Sequence, residues 1–212
     1  MLTRKSYYDE KRSIIKKLVN QTLIDLIEMK NHYINYLDTL TSKNKDKILE
    51  MENYVDENEK KVDKTIREII SLQSLDKQEI KWLFTMNRII RELERIGDQM
   101  TNIITISKVT DTDDLRPMIH QFFHYENKML TWLKNGIWDD DFELLQQVID
   151  HDQYVNRLNK NTYNELVFLI NQQKAITESK LKTVIISRFL ERIGDHLVNA
   201  SRIYLKVIKN NI

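Results

Sequence analysis

The sequence predicts an all-α chain of six helices, arranged as two tandem three-helix bundles related by an internal repeat. Three features point there. Only 3 glycines and 1 proline occur in 212 residues, too few for the turns that strand architectures consume. Apolar residues recur at steps of three and four along most of the chain. And LERIGDQMTN at 93–102 returns as LERIGDHLVN at 190–199, ninety-seven positions later.

The first helix is expected over about 3–40, on the spacing of Ile15, Leu18, Leu26, Met29, Tyr33, Leu37 and Leu40, with the polar run TSKNKD (41–46) ending it. The second, about 46–72, carries Ile48, Met51, Val55, Val62 and Ile69, and Ser74 or Asp76 then suits the N-cap of the third. The third, about 77–108, alternates Trp82, Met86, Ile89, Leu93, Ile96, Met100 and Ile103. In DTDDLRP (111–117), acidic N-cap candidates precede the only proline, which suits a first helical turn. The fourth helix is expected to stop at Gly136, and the fifth to begin near Asp139–Asp141 and reach about 173. The sixth, about 178–209, repeats the stripe of the third with Thr183, Ile186, Leu190, Ile193, Leu197 and Ala200. RELERIGDQMTN and RFLERIGDHLVN agree at eight of twelve positions, which divides the chain into units of 1–110 and 111–212.

Composition excludes several function classes. Thirty-three Lys and Arg against 32 Asp and Glu leave a net charge of +1, with no basic block to draw nucleic acid or an anionic membrane. Without cysteine there is no disulfide, thiolate metal site or Cys nucleophile. MLTRKSYYDEKR is not a signal peptide, and no window approaches the roughly 18 apolar residues of a membrane span, so a cytoplasmic protein is expected. None of the 5 histidines has a Glu three residues before it, which excludes the Glu-x-x-His pairs of di-iron bundles. No phosphate loop or Ser/His/Asp arrangement is present, so the chain is not expected to be an enzyme. His196 reads as a surface histidine, and the three tryptophans as core or helix-contact residues.

At roughly 100° per residue, Glu94, Asp98 and Asn102 fall within about 80° of one another, as do Glu191, Asp195 and Asn199. Gly97 and Gly194 lie between these stripes and the apolar face, where a glycine lets a neighbouring helix or bound group approach. Like charges four residues apart repel, so each stripe requires a positive partner. Arg91 and Arg95, like Arg188 and Arg192, could supply it by pairing with the stripe carboxylates. The alternative is a hard cation held by carboxylate oxygens, such as Mg²⁺, Mn²⁺, Fe or Ca²⁺. Glu52, Asp56, Glu59 and Asp63 on the second helix favour the metal, because they share one face and can line a groove with the third helix. On the fifth helix Asp152 and Asn156 match Glu59 and Asp63, but Leu145 and Ile149 replace the other two acids, so the second site is expected to be weaker.

The doubled L-E-R-I-G-D-x-x-x-N resembles the signature of the PhoU family of phosphate-uptake regulators, over nearly the whole chain. The resemblance implies two three-helix bundles, each with a multinuclear metal cluster, usually iron or zinc. The implied ligands are Glu59, Asp63, Glu94 and Asp98 in the first half, and Asp152, Glu191 and Asp195 in the second. Asp56, Asn102, Asn156 and Asn199 are further candidates. The resemblance also implies a cytoplasmic, often dimeric, negative regulator that contacts the ATPase of a phosphate ABC transporter and a sensor histidine kinase. The chain departs from the family where Q-P-x-x-x-D-L-R is usual, reading SLDKQEIK at 74–81. That leaves open an accessory regulator of a different phosphate transporter, a metal-binding protein unconnected to phosphate, or a scaffold whose stripes are neutralised by arginines.

Overall fold

A computed structural model describes residues 4–39, 41–72, 74–107, 112–172 and 175–209. The helices are α1 (Arg4–Thr39), α2 (Ser42–Leu72), α3 (Lys77–Ile106), α4 (Thr112–Asp139), α5 (Phe142–Asn171) and α6 (Glu178–Ile208). Among the described residues there is no strand, and no helix is long and apolar enough to cross a membrane.

Local chemistry sets the helix ends. Asp76 starts α3 with a reciprocal capping box: its carboxylate accepts from the Gln78 and Glu79 amides, while the Glu79 side chain accepts from the Asp76 amide. Asp141 and Thr177 cap α5 and α6 through the amides of Leu144 and Lys180.

Three expected boundaries move. α2 begins at Ser42, inside the run expected to separate it from α1, because that run carries no glycine or proline to break a helix. Pro117 is the sixth residue of α4 and so sits in its second turn. Gly136 does not stop α4, which continues to Asp139; Asp140 makes the turn at φ 56°, the left-handed region that Asp tolerates better than most residues. Gly136 is instead buried against α5, where a Cβ would lie 2.7 Å from Leu145 Cγ. Leu40 and the acidic side chains of 111–114 lie outside the described residues.

In each half the three helices pack on one another, and α3 lies along α6 while α1 meets α4. The apolar stripes of all six merge into one continuous core. The seam between the halves is antiparallel: Glu92 meets His196 near mid-helix, and Lys81 Nζ donates to the Lys206 carbonyl near the ends. This brings Ile96 opposite Ile193, the same position of the two LERIGD copies. Across the molecule Lys30 donates to Asn127, which joins α1 to α4. Beside them Glu126 is wholly buried, and burial raises its pKa well above the usual carboxylate value despite the Lys30 charge. Of the tryptophans, Trp82 is buried and Trp132 packs on the core, but Trp138 at the end of α4 is 45% exposed, contrary to expectation.

Candidate metal centre

The antiparallel α2–α3 pair brings the two carboxylate faces of the first half together. Burial raises the pKa of Glu94, and the charges of Asp98, Asp56 and Glu59 raise it further. Asp98 is raised by burial and then by Asp56, and Glu52 by burial, Asp56 and Asp98. The five acids that feel one another, Glu52, Asp56, Glu59, Glu94 and Asp98, therefore come from two helices, as the face geometry requires.

Arginine does not neutralise this stripe in the expected way. Arg91 pairs with Glu59 at 3.6 Å and Arg95 with Glu92 at 3.0 Å; neither forms an ion pair with Glu94 or Asp98. Asp56 leans on Lys60 at 3.7 Å, Asp63 on Arg67 at 2.7 Å, and Asn102 is exposed. Among the described residues, no three His, Asp or Glu groups form a cluster that could hold a metal ion.

The second half is thinner in acids but tighter. Burial and the Asp195 charge raise the pKa of Asp152, opposed by a hydrogen bond from Asn156 Nδ2 at 2.7 Å. Burial and Asp195 also raise Glu191, although Arg188 holds its Oε1 at 2.8 Å. The other oxygen of each acid, Asp152 Oδ1 and Glu191 Oε2, is buried with no hydrogen-bond partner. Asp195 is exposed, and Asn199 donates to Glu92 at 3.4 Å, across the seam between the halves.

The two motif glycines play different parts. A Cβ at Gly194 would lie 2.9 Å from Asp152 Oδ1 and 3.1 Å from Val155 Cγ1, so the glycine makes the space that the carboxylate occupies. A Cβ at Gly97 would meet Val55 Cγ1 at 3.5 Å and Glu52 Cγ at 3.9 Å, which are ordinary contacts. Gly97→Ala is therefore expected to raise the melting temperature, by up to about 1 kcal/mol of helix propensity. Gly194→Ala is expected to lower it, because overpacking by about 1–3 kcal/mol outweighs the same gain. Thermal melts of both variants check this, and shifts of the same sign would refute it.

Comparison with known proteins places this geometry. A PhoU domain model matches twice, over residues 25–107 and 120–203, each span containing one LERIGD copy and the helix that faces it. The chain belongs to the PhoU family. It is 25% identical over 164 residues to the phosphate-specific transport system accessory protein PhoU homolog of Clostridium acetobutylicum, covering 74% of this chain and 75% of that protein. To PhoU homolog 1 of Thermotoga maritima it is 23% identical over 210 residues, covering 96% and 90%. The fold matches crystal structures of PhoU from Pseudomonas aeruginosa (TM-score 0.85, 18% identity, 96% of this chain and 99% of that one) and of the PhoU regulatory protein from Streptococcus pneumoniae (TM-score 0.81, 14%, 97% and 98%).

The donors of both PhoU repeats suit a hard or borderline cation: they are carboxylates with amide oxygens nearby, and no thiolate is available. The second repeat adds two unpartnered carboxylate oxygens and a glycine that clears the space of one of them, Asp152 Oδ1, both of which a bound cation would account for.

The contact that the sequence did not reveal lies between the PhoU repeats. Glu92 Oε2 meets His196 Nδ1 at 2.8 Å, and both side chains are largely buried, so His196 is an inter-repeat residue and not a surface one. Burial acts to raise the Glu92 pKa, but the His196 and Asn199 hydrogen bonds and the His196 and Arg95 charges outweigh it and hold it below the usual carboxylate value. One signal was available: Glu92 is a position where the repeat breaks, with Phe189 as its counterpart.

Proposed function

We propose that this chain is a negative regulator of phosphate uptake and of the phosphate-starvation response. It acts in the cytoplasm as a homodimer, by contact with the ATPase subunit of a phosphate ABC transporter and with a sensor histidine kinase. It catalyses no reaction and binds no nucleic acid, and it reaches the membrane only through its partners. The observation that carries this reading is the doubled carboxylate-bearing motif, one copy in each PhoU domain, in a chain whose relatives are named as accessory proteins of phosphate-specific transport.

In this reading a multinuclear cluster, iron or zinc with manganese or magnesium as alternatives, is held in each bundle. Glu59, Asp63, Glu94 and Asp98 hold it in the first, and Asp152, Glu191 and Asp195 in the second, with Asp56, Asn102, Asn156 and Asn199 alongside. When bound, such a group supplies the positive charge that the paired stripes lack. The chain's own residues do the rest: Gly194 clears the space for Asp152, Asn156 orients that carboxylate, and the Glu92–His196 contact joins the two repeats.

A second reading, an accessory regulator of a different phosphate transporter, is favoured by residues 74–81. Here Asp76 and Glu79 are committed to the capping box and Lys81 to the Lys206 carbonyl, in place of the family's usual side chains.

Deleting the gene in its own host and measuring phosphate uptake and a starvation-induced phosphatase in phosphate-rich medium tests the proposal. Both are expected to rise and to return on complementation; unchanged values in the deletion strain would overturn it. Deleting each phosphate transporter in turn in that background then distinguishes the two readings.

A further inference from the structure

The end of the molecule where α1 and α3 begin and α6 finishes holds a cavity of about 320 Å³. Its walls carry Tyr8 and Arg12 from α1, and Lys77, Glu79, Lys81 and Trp82 from α3. It lies apart from the carboxylate stripes: Trp82 and Asp98 are sixteen residues apart on α3, roughly 24 Å at 1.5 Å per residue. Three of the six side chains are cations, and none of the three has an ion-pair partner among the described residues. Arg12 lies over the buried Trp82 ring, 4.9 Å to its centroid, a contact that fixes the guanidinium without giving it an oxygen acceptor. Lys81 Nζ donates to the Lys206 carbonyl at 3.2 Å, which leaves two of its three N–H groups.

Tyr8 supplies an independent observation. It is only 6% exposed, yet its hydroxyl has no hydrogen-bond partner among the described residues. Buried polar groups are rarely left so, and each exception calls for a ligand or a water. Burial pushes the Tyr8 pKa up to about 12; Arg12 pulls it down, while Glu79, Asp76 and Asp9 push it further up. The hydroxyl therefore keeps its proton at neutral pH, and its tip faces the same charges that line the cavity. The cavity thus presents an unused donor beside three cations. The α3 N-terminus is not the attraction, because Asp76 already accepts from the Gln78 and Glu79 amides.

Donors of this kind suit a small oxyanion, and the carboxylate on the wall narrows the class. Ionised Glu79 is an acceptor only. It repels an anion that has lost all its protons, and favours one that still has a proton to donate. Phosphate at neutral pH has such a proton, whereas sulfate has none. The second repeat lacks the arrangement: at the ninety-seven-residue offset, Glu178 stands in place of Lys81 and Ser179 in place of Trp82. One site per chain follows.

We infer that the cavity between the start of α1 and the start of α3 binds one phosphate group that carries a proton, free or as a monoester. Arg12, Lys77 and Lys81 neutralise its charge, the Tyr8 hydroxyl donates to it, and Glu79 accepts its proton. The choice of phosphate as the probe rests on the function proposed above, to which the site would add direct sensing of phosphate; the anion site itself rests on the cavity.

The test titrates the purified full-length chain calorimetrically with inorganic phosphate, glycerol phosphate and sulfate at matched ionic strength. Saturable binding of one phosphate group per chain is expected, at least tenfold tighter than sulfate, and the tighter of the two phosphates identifies the source. Arg12→Gln and Tyr8→Phe should each weaken it by about tenfold to a hundredfold. Tyr8→Phe removes an unpaired buried hydroxyl, so without phosphate it should melt at or above the wild-type temperature, which separates lost binding from lost folding. Glu79→Gln keeps a residue that can complete the capping box, and should bring sulfate close to phosphate in affinity. Lys43→Gln, on an exposed lysine of α2 outside the cavity, should bind as wild type does. No saturable binding of either phosphate, binding unmoved by both Arg12→Gln and Tyr8→Phe, or equal weakening by Lys43→Gln overturns the site; an unchanged preference over sulfate in Glu79→Gln overturns the part given to Glu79. Each of these leaves the regulatory function standing, since the gene deletion tests that separately.

Discussion

Replacing Asp98 and Asp195 together by alanine is expected to remove bound metal from the chain and abolish its thermal response to added metal. Each residue belongs to one carboxylate stripe, and each neighbours acids whose pKa values are raised by burial and by like charge. In wild type, metal at about a hundred times its dissociation constant should stabilise the fold by about 2.7 kcal/mol. For a chain of this length that is a rise of roughly 5–10 °C in melting temperature. Elemental analysis of the purified protein and melting with and without chelator measure both effects. A wild type free of metal, or a double variant that still responds to added metal as wild type does, would sink the metal reading.

The chelated protein should show the opposite sign. Burial and then Asp56 raise Asp98 above its ordinary value, so in the metal-free fold its ionised form is disfavoured relative to the unfolded chain. That penalty is absent below the unfolded pKa and complete above the raised one. Asp98→Asn should therefore melt higher than wild type at neutral pH in chelator, with the difference closing as the pH falls through the acidic range. A difference independent of pH would mean that the carboxylate is not under strain.

Gly136→Ala is expected to produce the largest loss of stability of any single methyl addition to this chain's glycines. A Cβ there would lie 2.7 Å from Leu145 Cγ, 2.9 Å from Leu145 Cδ2 and 3.3 Å from the Leu145 backbone nitrogen. Leu145 is itself wholly buried, and its carbonyl accepts from Ser201 Oγ at 2.6 Å, so it has nowhere to retreat. The amide of Asp141 donates to the Gly136 carbonyl at 3.0 Å, which ties the same residue into the turn. Overpacking at such a site costs about 3 kcal/mol, or roughly 6–12 °C in melting temperature at this chain length. A variant that melts within about 1 °C of wild type would show that α4 and α5 can separate freely at their junction, contrary to the observed packing.

Much of the fold was legible because helix periodicity is local. The stripe from Trp82 to Ile103 needs only its own spacing to declare a buried face, and all seven of those residues are buried. Of the two N-cap candidates, Ser74 and Asp76, it is Asp76 that starts α3, with Glu79 completing its capping box. The candidate site was legible for the same reason: Glu94, Asp98 and Asn102 share a face by counting alone. What counting missed were contacts between helices distant in sequence. Gly136 read as a stop signal because glycine commonly ends helices, whereas its actual constraint is a leucine on the next helix. His196 read as a surface residue because it points away from its own acidic stripe, and only the neighbouring α3 supplies Glu92.

The sequence by itself determined that the chain is helical, that it is duplicated, and that each copy presents carboxylates along one helical edge. These follow from the 3.6-residue period and from residue identity, which need no long-range information. Only the tertiary structure decided which charges meet. It sent Arg91 to Glu59 and Arg95 to Glu92, left Glu94 and Asp98 facing their own kind, and gave Gly194 a role that Gly97 does not share. The reason is physical: an ion pair or a steric limit depends on distances of a few ångströms between helices, and those distances are fixed by how the whole core packs.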